Sequence, residues 1–278
     1  KIQTWEVRPE TMRLHLEDLE PLMNAHTRLV CVTHTSNVLG TLYPIREISD
    51  FVHEKGALIV VDGVAHAPHR LVDVQALDAD FYVLSTYKVY GPHYGLLYGK
   101  KEHLLELPGI NHSFIQENDI PYKFQPGNTN FELTYGMLGL TDYLQAAYAH
   151  HFDGEAPSLR EQMVAVFDLI AEHEAQLSQR LLEFLLSKAG VRIVGEKDWH
   201  KELRVPTISF VAEGKRSDEL VQQVDAANIG IRYGDFYAKK LIDSLGLRSY
   251  HGVVRVSMVH YNTLEEVDRL IEVLDRIL

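Results

Sequence analysis

The run Ala57-Leu58-Ile59-Val60-Val61-Asp62, and after it Phe81-Tyr82-Val83-Leu84-Ser85-Thr86-Tyr87-Lys88, each reads as a short apolar strand that ends in polar residues. Their surroundings set the context. Upstream of the first, Ile45 to Lys55 is amphipathic, with Ile45, Ile48, Phe51 and Val52 on one side and Gly56 placed to close the helix as a C-cap. Further upstream, Arg28 to Thr33 is another β-rich run, ending in His34-Thr35-Ser36-Asn37, and Gly95-Leu96-Leu97-Tyr98 adds one more. Continuous apolar strands alternating with helices predict an α/β domain with a mostly parallel sheet covered on both faces. In such sheets ligands bind beyond the carboxyl ends of the strands, which directs attention to the polar residues found there.

Moving outward, residues 12–24 approximate helical spacing, and 131–150 read as helix. The polar stretch His150 to Pro157 is the best boundary, dividing the chain into a large domain at 1–152 and a linking helix with a small domain at 153–278. Ser158-Leu159-Arg160-Glu161 has the form of a capping box that opens a long helix to about Ala189. Beyond it, Val191–Val194, Thr207–Val211 and Val253–Ser257 read as short strands separated by helices near 217–227 and 264–277. This pattern predicts a smaller α/β unit with antiparallel pairing.

The 278 residues carry 27 Lys+Arg against 39 Asp+Glu, a formal charge of −12, which argues against a general nucleic-acid or anionic-membrane surface. At 46% hydrophobic and 24% charged, the composition is that of a globular chain with a substantial core. No run reaches the roughly 18 apolar residues of a membrane span. The single cysteine, Cys31, lies within Leu29-Val30-Cys31-Val32 and is expected to be an inert core thiol. With no paired cysteines, a reducing, cytoplasmic compartment is expected.

Right-handed crossovers bring the ends of the predicted strands to one edge, gathering Asn37, Asp62, Ser85, Tyr87 and Lys88. An acid, an amide, hydroxyls and a lysine form a set capable of chemistry. Spacing alone equally allows a solvated loop lysine and a turn-forming aspartate. A metal hydrolase is a further reading, with Asp62, His66 and His69 as ligands, although Pro68 between the two histidines disturbs a shared helical face.

Four ordered motifs carry a resemblance: Thr33-His34-Thr35-Ser36-Asn37-Val38-Leu39-Gly40-Thr41, Val60-Val61-Asp62-Gly63, Ser85-Thr86-Tyr87-Lys88-Val89-Tyr90-Gly91-Pro92 and Gln125-Pro126-Gly127-Asn128-Thr129-Asn130. With Val254-Arg255-Val256-Ser257 and Tyr261-Asn262-Thr263-Leu264-Glu265-Glu266, they make the chain similar to the class V aminotransferases, nearest the cysteine desulfurase/selenocysteine lyase branch. The resemblance implies the pyridoxal phosphate (PLP)-dependent transferase fold of type I, acting as a homodimer on an amino acid. It implies PLP held covalently on Lys88, with Asp62 facing the ring nitrogen and Asn37 on the ring's 3-oxygen. Ser85 and Tyr87 are implied for the phosphate, with Asn128 or Thr129 reaching in from a neighbouring subunit. Arg255 is implied for the substrate carboxylate as a bidentate fork, with Arg232 as a second contact.

Three departures from the family pattern shape the expected chemistry. Where the desulfurases carry a mobile cysteine, this chain reads Arg232-Tyr233-Gly234-Asp235-Phe236-Tyr237. Tyr87 stands where many relatives have His. The family's N-terminal portion, which holds a phosphate-binding turn and a ring-stacking aromatic, is not found in these residues, and is expected either to precede a fragment or to be a separate or disordered segment. The expectation is C–S or C–Se bond cleavage without an enzyme persulfide. An aminotransferase, an epimerase and a non-catalytic relative are the alternatives.

Overall fold

The structure, a computed structural model, describes residues 1–125, 127–154 and 158–278. The chain divides into two compact units: Ala25–Thr33 with Pro44–Val166, and Lys1–Asn24 with His34–Tyr43 and Phe167–Leu278.

In the first of these, β1 (Leu29–Thr33), β2 (Leu58–Asp62), β3 (Phe81–Ser85) and β4 (Gly95–Gly99) form one sheet in that order. The β1–β2 and β2–β3 pairs are parallel and β3–β4 is antiparallel. Register places Thr33 beside Asp62 and Asp62 beside Val83, so Asp62 and Ser85 end adjacent strands at the same edge. Helix α2 (Ile45–Glu54) buries Ile45, Ile48, Ser49 and Val52, and Gly56 follows with φ +74°, the left-handed conformation that ends a helix cheaply at glycine.

Burial in this sheet is one-sided. Strand β1 alternates exposed Leu29 and Cys31 with buried Val30 and Val32, and β4 exposes Gly95, Leu96 and Leu97. The expectation of a sheet covered on both faces is therefore corrected. So is that of a core thiol: Cys31 is exposed, because the two-residue strand repeat turns it to the uncovered face. At the opposite end of the strands, Asp80 is an almost fully buried carboxylate. It accepts hydrogen bonds from the Ile59 amide at 2.8 Å and from His53 and His103 at 2.8 and 3.0 Å, and pairs with Lys100 at 2.9 Å. These contacts tie the last turn of α2, the starts of β2 and β3, and α3 (Lys101–Glu106) together. The predicted helix at 131–150 is present as α4 (Phe131–Gly136) and α5 (Leu138–His151).

The other unit holds an antiparallel sheet, ordered β5 (Val191–Val194), β6 (Thr207–Ala212), β8 (Val253–Ser257) and β7 (Arg232–Gly234). Both faces are covered. Ile208, Phe210, Val254 and Val256 pack with Leu177 and Leu181 of α6 (Leu159–Ser187) and with α7 (Ser217–Asp225) and α9 (Leu264–Ile277). Val211 and Val253 point the other way, joining Met12, Val38, Leu39 and Ile242 of α8 (Lys239–Ser244). The expected capping box opens α6: Glu161 accepts from the Ser158 amide at 2.9 Å while the Glu161 amide bonds back to Ser158 Oγ. A second one, Thr263 with Glu266, opens α9. The helix expected over 12–24 shrinks to α1 (Leu16–Leu19) and a short 3-10 turn, since Met12 takes a left-handed φ of 54° and enters the core beside β5.

Candidate functional site

Beyond β3 the chain turns sharply, and Thr86 holds the turn. Buried, it receives Val89 N at 2.8 Å and Gly91 N at 2.9 Å on its carbonyl, while its hydroxyl donates to Pro92 O at 2.7 Å. Tyr90, at φ +64°, donates its hydroxyl to Pro68 O at 2.6 Å. Lys88 ends the 3-10 turn Thr86–Lys88 and is exposed. Among the described residues its ammonium makes no hydrogen bond or ion pair, and neither the Ser85 hydroxyl nor the Tyr87 hydroxyl is bonded. Tyr87 is exposed with its ring 4.8 Å from that of His93.

On the adjacent strand, Asp62 is exposed and its Oδ1 accepts from Val64 N at 2.9 Å. Gly63 is required next to it, because a Cβ there would lie 2.1 Å from the buried Tyr82 ring. Asp62, Ser85 and the turn carrying Tyr87 and Lys88 therefore share one edge of the sheet. Asn128 is exposed and Thr129 half-buried, just ahead of Asn130, whose Oδ1 accepts from Leu133 N as the N-cap of α4. Neither is hydrogen-bonded to Asp62, Ser85, Tyr87 or Lys88; Pro126 of the same motif lies outside the described residues.

The metal reading is corrected. His66 and His69 are buried in consecutive turns, Asp62 is exposed, and among the described residues no three His, Cys, Asp or Glu side chains group to hold a metal ion.

Asn37, Arg232 and Arg255 belong to the antiparallel-sheet unit. The segment around Asn37 is a tight turn: Ser36 Oγ accepts from Leu39 N at 3.1 Å, and Gly40, at φ +70°, approaches the backbone so closely that a Cβ would lie 2.2 Å from Thr207 O. The turn is fastened to the sheet by Ser209 Oγ donating to Val38 O at 2.6 Å and by Arg255 Nη1 donating to Asn37 O at 2.9 Å. Asn37 Nδ2 donates in turn to Phe236 O at 2.8 Å, and the Phe236 ring lies 3.6 Å from the Arg255 guanidinium carbon. Burial pulls the Arg255 pKa below its ordinary value, and its Nε is buried with no hydrogen-bond partner among the described residues. Arg232, directly across from Arg255 in the β7–β8 register, is exposed, donates to Ile231 O at 2.7 Å and stands 3.8 Å from Asp225. Phe236 and Ser36 lie within the quoted motifs, but no role was assigned to either: Phe236 was legible only as part of the Arg232–Tyr237 segment that lacks a cysteine.

A mixed, mostly parallel sheet thus carries an acid, a lysine turn and two unbonded hydroxyls along one edge. Its donor set fits PLP: an amine free to react, a carboxylate for a pyridine nitrogen and hydroxyls for a phosphate. The family model of class V aminotransferases matches residues 1–270, and the chain belongs to this family of PLP-dependent enzymes. It is 45% identical to an aminotransferase-like protein of Gibberella zeae over 96% of this chain and 63% of that protein. It is 38% identical to a cysteine desulfurase-like protein of Aspergillus flavus over 97% of this chain and 58% of that one. The crystal structure of the cysteine desulfurase CsdA from Escherichia coli superimposes with a TM-score of 0.76 at 26% identity, covering 96% of this chain and 63% of the other. The fold is thus that of the type I PLP-dependent transferases. The chain spans less than two thirds of the length of these relatives. Among the described residues, no helix is long and apolar enough to cross a membrane.

Proposed function

We propose that this chain contributes the lysine-bearing part of a PLP-dependent enzyme that cleaves the C–S or C–Se bond of an amino acid without forming a persulfide on the enzyme. What supports the proposal is the Arg232–Tyr237 segment: it contains no cysteine where the resemblance to desulfurases implies one, and its Phe236 ring lies against the Arg255 guanidinium. Cys31, the one thiol of the chain, sits on β1.

PLP, when bound, supplies an electron sink for negative charge at the substrate Cα. Lys88 would hold the cofactor covalently and move the Cα proton. Asp62 would keep a proton on the ring nitrogen, and Ser85 and Tyr87 would hold the phosphate, with Asn128 and Thr129 serving the neighbouring subunit of a homodimer. Asn37 spends one Nδ2 hydrogen on Phe236 O, and its other would serve the ring's 3-oxygen. Arg255 would take the substrate carboxylate, since Nη1 is committed to Asn37 while Nε and Nη2 on the other edge are left for a bidentate acceptor. Arg232 would be a second carboxylate contact. A reducing, cytoplasmic setting and the division at 152/153 belong to the same reading.

The test is product analysis of the full-length, PLP-loaded protein given L-cysteine. Sulfide, pyruvate and ammonium formed in equal amounts, at a rate unchanged by Cys31→Ser, are the expected result. Alanine with sulfur retained on the protein would overturn the persulfide-free reading. Amino-group transfer to an added keto acid would replace it with an aminotransferase.

A further inference from the structure

We propose that Phe236 is a positioning residue for Arg255, fixing the guanidinium so that its Nε–Nη2 edge meets an α-carboxylate. This rests on the reading that Arg255 binds the substrate carboxylate. Three contacts define the arrangement, all within one unit: the ring stacked 3.6 Å from the guanidinium carbon, the Asn37 carbonyl on Nη1 at 2.9 Å, and the Asn37 amide on Phe236 O at 2.8 Å. Asn37 thereby couples ring and cation, bonding to the backbone of one and the side chain of the other.

The backbone is bent to hold the ring there. Phe236 and Tyr237 take consecutive left-handed φ values of 51° and 64°, a conformation that side-chain-bearing residues avoid. Tyr237 N on Asp235 Oδ1 at 3.0 Å and Ala238 N on Asp235 O at 2.8 Å maintain the bend. The fully exposed Tyr237 side chain gains no burial from it. The same turn seats Phe236 and Ala238 against the apolar core around Val38, Leu39 and Ile242, and it is Phe236 that also meets Arg255.

The consequence for binding is pre-organisation. A free arginine must freeze several torsions to grip a carboxylate; this one has its plane set by the ring and one edge occupied. Among the described residues Nε makes no hydrogen bond, so no protein acceptor occupies that edge of the guanidinium.

The experiment is an NMR titration of the PLP-loaded protein with sodium propionate, read on the Arg255 Nε–H resonance, whose position over a ring gives it a ring-current shift. Phe236→Leu is expected to remove that shift and weaken propionate binding about tenfold, equivalent to 1.4 kcal/mol. Phe236→Tyr, which keeps the ring face, restores both to within about twofold. If Phe236→Leu lowers the melting temperature sharply, Phe236→Met fills the same space without a π face and is expected to behave as Leu does. Undiminished propionate affinity in Phe236→Leu or Phe236→Met, with binding abolished by Arg255→Gln, overturns the positioning role and leaves the Arg255 reading standing. Affinity unchanged by Arg255→Gln overturns that reading first, and the inference with it.

Discussion

Lys88 and Arg255 are each carried by one of the two sheets, and the protein treats these cations in opposite ways. Lys88 is exposed beyond β3, with its ammonium unbonded among the described residues. Arg255, on β8, has a ring against its face and a carbonyl on Nη1. Among the described residues, β1 and β4 expose apolar side chains, whereas β6 buries five of its six residues. An amine intended for covalent chemistry has to be free to react, whereas an arginine intended for recognition gains from being held.

Lys88→Ala gives the largest expected effect. Reductive trapping followed by mass spectrometry is expected to show complete loss of covalently held PLP, with stability changed by less than about 0.5 kcal/mol because the side chain is exposed and unbonded. Cofactor still covalently attached in this variant would remove Lys88 from the site.

The contrast in burial is broken next. Phe210→Ala deletes a fully buried ring from the antiparallel-sheet core and is expected to cost about 3–5 kcal/mol in urea unfolding. A loss below 1 kcal/mol, roughly the scale of an ordinary surface change, would mean that this core is not packed as described.

The smallest effect sharpens the account of the first sheet. Burial alone would raise the Asp80 pKa, but Lys100, His53, the Ile59 amide and His103 together hold it down at about 2. A carboxylate depressed in the folded state stabilises above its unfolded pKa, near 4, and that contribution disappears as pH falls through 2; it amounts to roughly 2 kcal/mol. Between pH 5 and pH 2 the unfolding free energy of the native protein is expected to fall by roughly 2 kcal/mol more than that of Asp80→Asn. An identical pH slope in both would show that Asp80 is not the group responsible.

Most of the fold was legible locally. The runs ending at Asp62 and Ser85, the helix closed by Gly56 and the box at Ser158–Glu161 are set by neighbours within a few residues, and each is present. Reading failed where an element's surroundings mattered. Cys31 looked like core because its neighbours are apolar, yet a strand's faces are covered or left open by residues remote in sequence. Residues 12–24 had helical spacing, but Met12 takes a left-handed φ and is buried with Val194, Val211 and Val253, residues remote in sequence. The metal reading failed because Asp62 is exposed while His66 and His69, though close in sequence, are buried, and among the described residues the three do not group to hold an ion.

The linear order of residues determined the strand–turn units and where the lysine, the acid and the two arginines stand on them, since apolar runs and turn-forming residues act over short chain distances. Only the tertiary structure decided the environment of Arg255. Its carbonyl partner lies 218 positions away, and its stacking partner is set by a left-handed bend in a different strand connection. Desolvation and the choice of which guanidinium edge stays free are properties of packing through space, which no pattern along the chain encodes.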